Sequence, residues 1–591
     1  PYAVTVAADG SVYASAWGGD TISIFGARAD GMLFAKGRLQ IGRHPSALLT
    51  NRDGSRLFVA LAGSDRIAMV DTHTRKIVKM LSDAAPAGPS EGSTPNALAI
   101  DDKNLYVAEA DNNAVAVFDL GTWKLKGRIP TDWYPAAVSV AGDDLLVLGG
   151  KGHGSHANPD GPTPGQGITR PLGYDLGQLN GSLRVIGRSV TSESLAAYTK
   201  RVVEANNWTA QRSTHRYPPF KHVIYIIKEN RTYDQIFGDL KEGDGDASLV
   251  FFDRTSTPNH RALALRFGLF DRFFTNAEVS SQGHIWSTAA YVTDFGEKTI
   301  PSAYSNRRAG VDGEEIDEPD DGFLWTLAKK AGVSFRDYGE MVNGPEGWPV
   351  TQRDLGSDIS PVYPPFNLDI PDQKRADGWI GEHERFVADG NMPAFEVMHL
   401  PGDHTAGGHA KYRTPRAYMA DNDLALGRIV DALTHSKYWR DTVMFVLEDD
   451  SQAGPDHVDC HRGPLLVISA YNRPGTIHRF ANTTDVVAAI EDILGLGRLS
   501  KFDYFSRSLA DVFATTPDLT PYRAITPEAN MEEMNPEKSA AARMSEDLDL
   551  SGPDRIDDAR FNAILWRMLK GDQPYPQPRS HASMHLLQLA R

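Results

Sequence analysis

Residues 222–234 read His-Val-Ile-Tyr-Ile-Ile-Lys-Glu-Asn-Arg-Thr-Tyr-Asp. The run 223–227 is a short continuous apolar strand that ends abruptly in Lys228, Glu229, Asn230 and Arg231. Such a run lacks the in/out alternation of a half-exposed strand, so both of its faces are expected to be covered. Similar runs occur at 333–335, 394–398, 443–447 and 465–469. Amphipathic stretches that read as helices lie between and around them, at 261–274, 285–293, 322–331, 415–434 and 484–494. Short buried strands alternating with helices predict an α/β domain with a mostly parallel sheet, assigned to residues 221–515. Residues 516–591 are Pro-rich and charged, with one helix expected around 559–569, and read as a C-terminal extension packed on that domain.

Working back toward Pro1, the pattern changes period. A segment of the form Pro-x-Ala followed by alternating apolar residues starts at Pro1, Pro45, Pro95 and Pro135. Polar turns follow at Asp9-Gly10, Asp53-Gly54, Asp101-Asp102 and Asp143-Asp144, and then period-two strands such as Arg56-Leu57-Phe58-Val59-Ala60. A repeat of roughly 40–50 residues with about four strands per unit predicts β-propeller blades. The blades are assigned to residues 1–190, the fourth passing through the Gly/Pro-rich stretch 149–172, and a polar helical linker to 191–220. Few propellers close with so few blades, so upstream blades are expected beyond the numbered chain. Pro1 in place of Met is read as a removed leader or as the start of a piece of a longer protein. The fold class expected is thus an all-β propeller joined to an α/β sandwich.

The chain has 591 residues and a formal charge of −16. That acidity argues against nucleic-acid binding by bulk charge, because such binding neutralises phosphates with Lys and Arg. No apolar run is long enough for a transmembrane segment. The single cysteine, Cys460, excludes an intrachain disulfide and reads as a small buried residue.

In an open α/β sheet, ligands gather where strands end at their carboxyl edge. Three strands end in groups able to bind metal: Glu229 and Asn230 after the first, Asp403 and His404 after 394–398, and Glu448, Asp449 and Asp450 after 443–447, with His457, Asp459 and His461 close behind. His399, His404, His409, His435, His457 and His461, six of the 18 histidines, fall within residues 399–461. Mixed carboxylate and imidazole donors suit Zn, Mn or Fe, whereas an oxygen-only set suits Ca or Mg, with one or two ions per site. Residues 276–290 supply nucleophile candidates in Ser280 and Ser281, at the start of a helix where free N–H groups and the dipole favour an anion. A serine there also serves as an ordinary helix cap. Thr232 is a further, less well-placed hydroxyl. His284 reads either as a donor to a phosphoryl oxygen or as a core histidine. Arg231 reads either as an anion clamp or as a surface ion pair.

The stretch Glu229-Asn230-Arg231-Thr232-Tyr233-Asp234 resembles the signature of the bacterial phosphoesterase family, which includes phospholipases C and acid phosphatases of the alkaline phosphatase superfamily. Residues 446–458, with their acidic pair, Gly-containing turn and Asp456-His457-Val458, resemble the late motif of that family, and the N-terminal repeats resemble YVTN-type blades. The resemblance implies a metal-dependent phosphoester hydrolase of the periplasm or exterior, acting on a small-molecule, lipid or polymer phosphoester. It implies metal ligation by Glu229 or Asn230 with Asp449 and Asp450, the sites being completed by Asp403, His404, His457 and His461. At the nucleophile the chain departs from the phospholipase branch. The turn Ser280-Ser281-Gln282-Gly283-His284 looks more like that of cofactor-independent phosphoglycerate mutases, which selects Ser280 ahead of Ser281. Two other functions are weighed against this one. The first is a propeller-based binding or adhesion protein with a decayed phosphoesterase domain. The second is a sulfate or phosphonate ester hydrolase on the same fold.

Overall fold

The computed structural model describes all residues except 159–178, 210–215, 305–315, 343–353, 452–453, 549, 551–555, 557, 572 and 574–591. The Gly/Pro-rich stretch from residue 159 onward and Gln452-Ala453 of the late motif therefore lie outside the described residues.

The N-terminal lobe is propeller-like. Its first three sheets are four-stranded antiparallel meanders: Val4–Val6 to Leu33–Gln40, Pro45–Thr50 to Lys76–Ser82, and Pro95–Ile100 to Leu125–Pro130. A fourth sheet contains Trp133–Ala141, Asp144–Gly152 and Ser182–Gly187. Period-two alternation appears as alternating burial, as in Ile22 and Ile24 of the strand Thr21–Ala27. Buried apolar side chains of neighbouring sheets interlock: Tyr13 and Ile22 pack with Leu57 and Val59, and Phe58 and Ile67 with Leu105 and Val107. The outermost faces at both ends of this arc leave Val4, Val6, Leu183 and Val185 exposed. The helix Ser192–Ala205, capped by Thr191, then leads toward the second lobe.

That lobe is α/β. Its sheet runs in the order Phe335–Tyr338, Phe395–His399, His222–Lys228, Thr442–Glu448, Leu465–Ser469, parallel except for the last strand. Every residue of Phe395–His399, Thr442–Glu448 and Leu465–Ser469 is buried, and so is all of His222–Lys228 but His222, as the unbroken apolar runs require of a sheet covered on both sides. Helices Pro258–Phe267, Asp372–Asp389 and Pro415–Thr434 pack together, and Ser280–Ala289 packs with Thr483–Leu494. The helix expected at 261–274 stops at Phe267, because Gly268 takes φ +119° and turns the chain into two short strands, Leu269–Phe270 and Phe273–Phe274. The strand expected at 333–335 lies instead at Phe335–Tyr338. Register carries the consequence for function. Ile227 pairs with His399 and Lys228 with Glu448, so three neighbouring strands deliver their last residues to one edge.

The lobes meet through buried polar contacts. The Thr94 and Tyr291 hydroxyls lie 2.9 Å apart, Tyr134 Oη donates to Asp294 at 2.9 Å, and Lys501 Nζ donates to the Asp111 carbonyl at 3.1 Å. Among the described residues no helix is long and apolar enough to cross a membrane.

Candidate active site

The site is built at the carboxyl ends of the strands His222–Lys228, Phe395–His399 and Thr442–Glu448. After Lys228 the chain must turn sharply, and Asn230 does so at φ +73°, a left-handed conformation that Asn tolerates better than most residues. The turn aims the Asn230 amide at three oxygens. Nδ2 lies 2.6 Å from Ser280 Oγ, 3.1 Å from Asp450 Oδ1 and 3.5 Å from Asp449 Oδ1. Ser280 is fully buried and is the first residue of its helix. The capping position belongs to Val279, whose side chain makes no cap bond, so the capping role does not fall to Ser280. Ser281 follows on the same turn, also buried. Gly283 lets the helix come this close: a Cβ there would stand 2.7 Å from the Asp449 backbone carbonyl.

Beside this group, Glu229 Oε1 lies 2.7 Å from His399 Nε2 and 3.4 Å from His284 Nε2. His284 Nδ1 in turn bonds Glu340 Oε1 at 2.9 Å, and its Nε2 is 3.7 Å from Asp449 Oδ2. Burial opposes the charge of Glu229, but hydrogen bonds from His284 and His399 outweigh it and hold the carboxyl well below its usual range. Burial would likewise deprotonate His284, yet Glu340, Glu229 and Asp449 outweigh it and raise the imidazole well above its ordinary value. Three buried carboxylates, Glu229, Glu340 and Asp449, thus face the His284 ring, and a fourth, Asp450, lies beside them at the Asn230 amide. Glu229 Oε2 and Asn230 Oδ1 are buried without a hydrogen-bond partner among the described residues. Turned over, the Asn230 amide would present its oxygen to the Ser280 hydroxyl and to two carboxylates, an arrangement that a cation among them would stabilise. The donor set therefore fits a metal ion.

Several residues expected here are engaged elsewhere. Asp403 is drawn to Lys228, whose Nζ bonds Asp403 Oδ2 at 2.5 Å and Glu448 Oε1 at 3.1 Å, while Asp403 Oδ1 accepts from the Glu229 backbone. Lysine thus fills the place of a cation between them. Arg231 is not a surface pair: it is buried, and its Nε and Nη2 donate to the carbonyls of Asp403 and His404 at 2.9 and 2.8 Å. His404 Nδ1 contacts the Thr405 carbonyl, and burial lowers the pKa of its ring. His457 spends both ring nitrogens on Asp234 and Asp244, in a group where Arg462 already pairs with Asp234 and Asp456. His461 stands apart as well, 2.9 Å from the propeller's Ser155 and grouped with Asp459 and Cys460. Thr232 caps the helix Tyr233–Phe237, and its hydroxyl bonds the Pro455 carbonyl.

Two site residues escaped the sequence reading. His399 stood in the histidine-rich segment without an assigned role. Glu340 lies two residues past the strand Phe335–Tyr338, and reading that strand three residues too early hid its strand-end position.

Residues 241–497 match the model of the Phosphoesterase family. The matched range contains Ser280, His284, Glu340, His399, Asp449 and Asp450, and begins just after the Glu229-Asn230 turn. Comparison with curated proteins gives no match. Three solved structures resemble parts of the chain. Hydrazine synthase of Kuenenia stuttgartiensis is 25% identical with a TM-score of 0.22, over 25% of this chain and 42% of that one. A streptogramin B lyase is 17% identical with a TM-score of 0.21, over 25% and 47%. A protein of the alkaline phosphatase superfamily from Vibrio parahaemolyticus is 17% identical with a TM-score of 0.32, over 50% and 71%. The chain spans less than half the length of the first two.

Proposed function

We propose that the protein is a metal-dependent phosphoester hydrolase whose nucleophile is Ser280. The observation that carries this reading is the 2.6 Å contact between the buried Ser280 hydroxyl and the Asn230 amide, which also faces Asp449 and Asp450. Glu229, Asn230, Asp449 and Asp450 would hold a divalent cation. When bound, it supplies Lewis-acid stabilisation of the charge that develops on the serine and phosphoryl oxygens.

The rest falls to the chain's own groups. The helix start directs backbone N–H groups toward an incoming anion. Asp450, which shares the Asn230 amide with Ser280, would take the hydroxyl proton. Ser280 Oγ then bonds to phosphorus as the bond to the ester oxygen breaks. His284, kept protonated by Glu340 and Glu229, would neutralise a phosphoryl oxygen or protonate the departing alcohol. Water then attacks the phosphoserine, restoring Ser280 and releasing phosphate from a monoester or the remaining monoester from a diester.

The same proposal includes a small-molecule, lipid or polymer phosphoester as substrate, export to the periplasm or exterior, and YVTN-type blades. These rest on the sequence resemblance. It also includes the partition at residues 190, 220 and 515, and further blades at the ends of the propeller arc, where Val4, Val6, Leu183 and Val185 lack the cover that inner blades give one another. A decayed enzyme is disfavoured by the cost of keeping four carboxylates buried around an unused site.

Chelation tests the reading. Removing metal is expected to lower p-nitrophenyl phosphate or bis-p-nitrophenyl phosphate hydrolysis about 100-fold or more. Adding back Zn, Mn, Fe, Ca or Mg one at a time should restore the rate and name the ion. The oxygens around Ser280 favour Mn, Mg or Ca, whereas the imidazoles at Glu229 favour Zn or Fe. Full activity in metal-free protein would refute metal dependence. Turnover of p-nitrophenyl sulfate alone would move the assignment to a sulfatase.

A further inference from the structure

Lys151 belongs to the propeller strand Asp144–Gly152, but its ammonium group lies in the phosphoesterase lobe. Nζ stands 2.8 Å from Glu278 Oε1 and 2.7 Å from Glu297 Oε2. Glu278 precedes Ser280 by two residues, and Glu297 lies on the following helix, Asp294–Tyr304. Gln282, two residues beyond Ser280, closes the ring. Its Oε1 accepts from the Glu278 backbone N–H at 3.3 Å, and its Nε2 donates to Glu297 Oε2 at 3.2 Å. The turn carrying Ser280 and Ser281 is thus fastened on both sides to one ion group whose cation comes from the other lobe.

The electrostatics make the fastening matter. Glu278 and Glu297 are buried, and Glu278 Oε2 and Glu297 Oε1 have no hydrogen-bond partner among the described residues. Without the ammonium between them, two desolvated carboxylates would repel each other across the base of the nucleophile turn. The Lys151 stem also runs beside the Tyr134 ring, with Nζ 5.7 Å from its centroid, and Tyr134 is itself bonded to Asp294 on the Glu297 helix. The propeller therefore holds this turn through two adjacent side chains.

We infer that Lys151 is a positioning residue for the phosphoesterase reaction: the propeller, through this lysine, holds the Ser280 hydroxyl in its attacking geometry. This inference rests on the assignment of Ser280 as nucleophile. The propeller is then part of the working catalytic unit and not only a platform beside it.

The test uses the whole chain. Lys151→Met is expected to lower kcat on p-nitrophenyl phosphate about 30- to 100-fold, the scale of a misplacement of about 1 Å at a reacting atom. KM should change less than about threefold, because the small substrate does not touch Lys151. Lys151→Arg keeps a cation between the glutamates and should recover most of the rate. Lys151→Met combined with Glu297→Gln removes the repulsion and should return kcat to within about fivefold of wild type. Arg184→Ala, an exposed arginine of the same blade, serves as the control and should leave kcat unchanged. A folded Lys151→Met protein with kcat within twofold of wild type overturns the inference. So does a double variant that regains its melting transition without regaining its rate. A wild-type protein inert toward every phosphoester would instead sink the underlying assignment, which the variants alone do not test.

Discussion

Replacing Ser280 by alanine is expected to lower kcat by about three orders of magnitude or more, the usual cost of deleting a covalent nucleophile. Metal content and affinity for inorganic phosphate should stay near wild type. The carboxylates of Glu229, Asp449 and Asp450 do not depend on the hydroxyl, and the fully buried site loses one oxygen atom that the Asn230 amide can replace by bonding Asp450 at 3.1 Å. Ser281→Ala should lose far less, since the Ser281 hydroxyl is not the one that meets the Asn230 amide. Rapid acid quench with labelled substrate supplies the second readout. Wild type should yield label on the peptide containing Ser280, and Ser280→Ala none. If Ser280→Ala turns over at the wild-type rate, or if label appears on Ser281, the nucleophile assignment fails while the metal site stands.

The parts of the fold legible in the sequence were those whose pattern is local. The buried strands could be read because five consecutive apolar residues leave little else to form, and the helix Pro415–Thr434 because its Thr-Pro start and apolar periodicity agree. The helix Asp372–Asp389 was missed because its buried stripe is thin, with Ala376 and Trp379 among charged neighbours, and part of that stripe is polar, in Arg375, Glu382 and His383. At the site, the strand-end rule pointed to Glu229, Asn230, Asp449 and Asp450, which the fold brings to one edge of the sheet. It could not say which way each neighbouring side chain would turn. Lys228 and Glu229 are adjacent in sequence and point into different ion clusters, and Arg231 turned to carbonyls left bare by the 401–404 turn. A histidine-rich segment is also not a metal centre by composition alone. His457 stands with Asp234 and Asp456, and His461 with Asp459 and Cys460, in two groups apart from that of Glu229, His284 and His399.

Lys228→Met is expected to destabilise the α/β lobe by about 3–5 kcal/mol, the cost of leaving buried charge without its partner. Lys228 is itself buried, and it is hydrogen-bonded to both Asp403 and Glu448, which are fully buried. Methionine matches the stem in volume, so packing changes little and the effect isolates the charge. Burial, followed by the nearby Asp403, already raises the Glu448 pKa to about 8, with Lys228 opposing them. Removing the ammonium should therefore favour proton uptake by Glu448, which limits the loss but does not abolish it. The damage should reach the site, because Asp403 Oδ1 holds the Glu229 backbone N–H at 3.2 Å and the Lys228 carbonyl accepts from the Asp449 backbone N–H at 3.0 Å. A lower denaturation midpoint for this lobe should therefore accompany weaker metal affinity, with the propeller transition unmoved. Combining Lys228→Met with Asp403→Asn and Glu448→Gln should recover much of the stability, since the hydrogen-bonding shapes survive and the uncompensated charges do not. A single Lys228→Met variant within about 1 kcal/mol of wild type would show that the two carboxylates are protonated or otherwise neutralised. Asp403 would then be free to act as a metal ligand, as its place at the strand end first led one to expect.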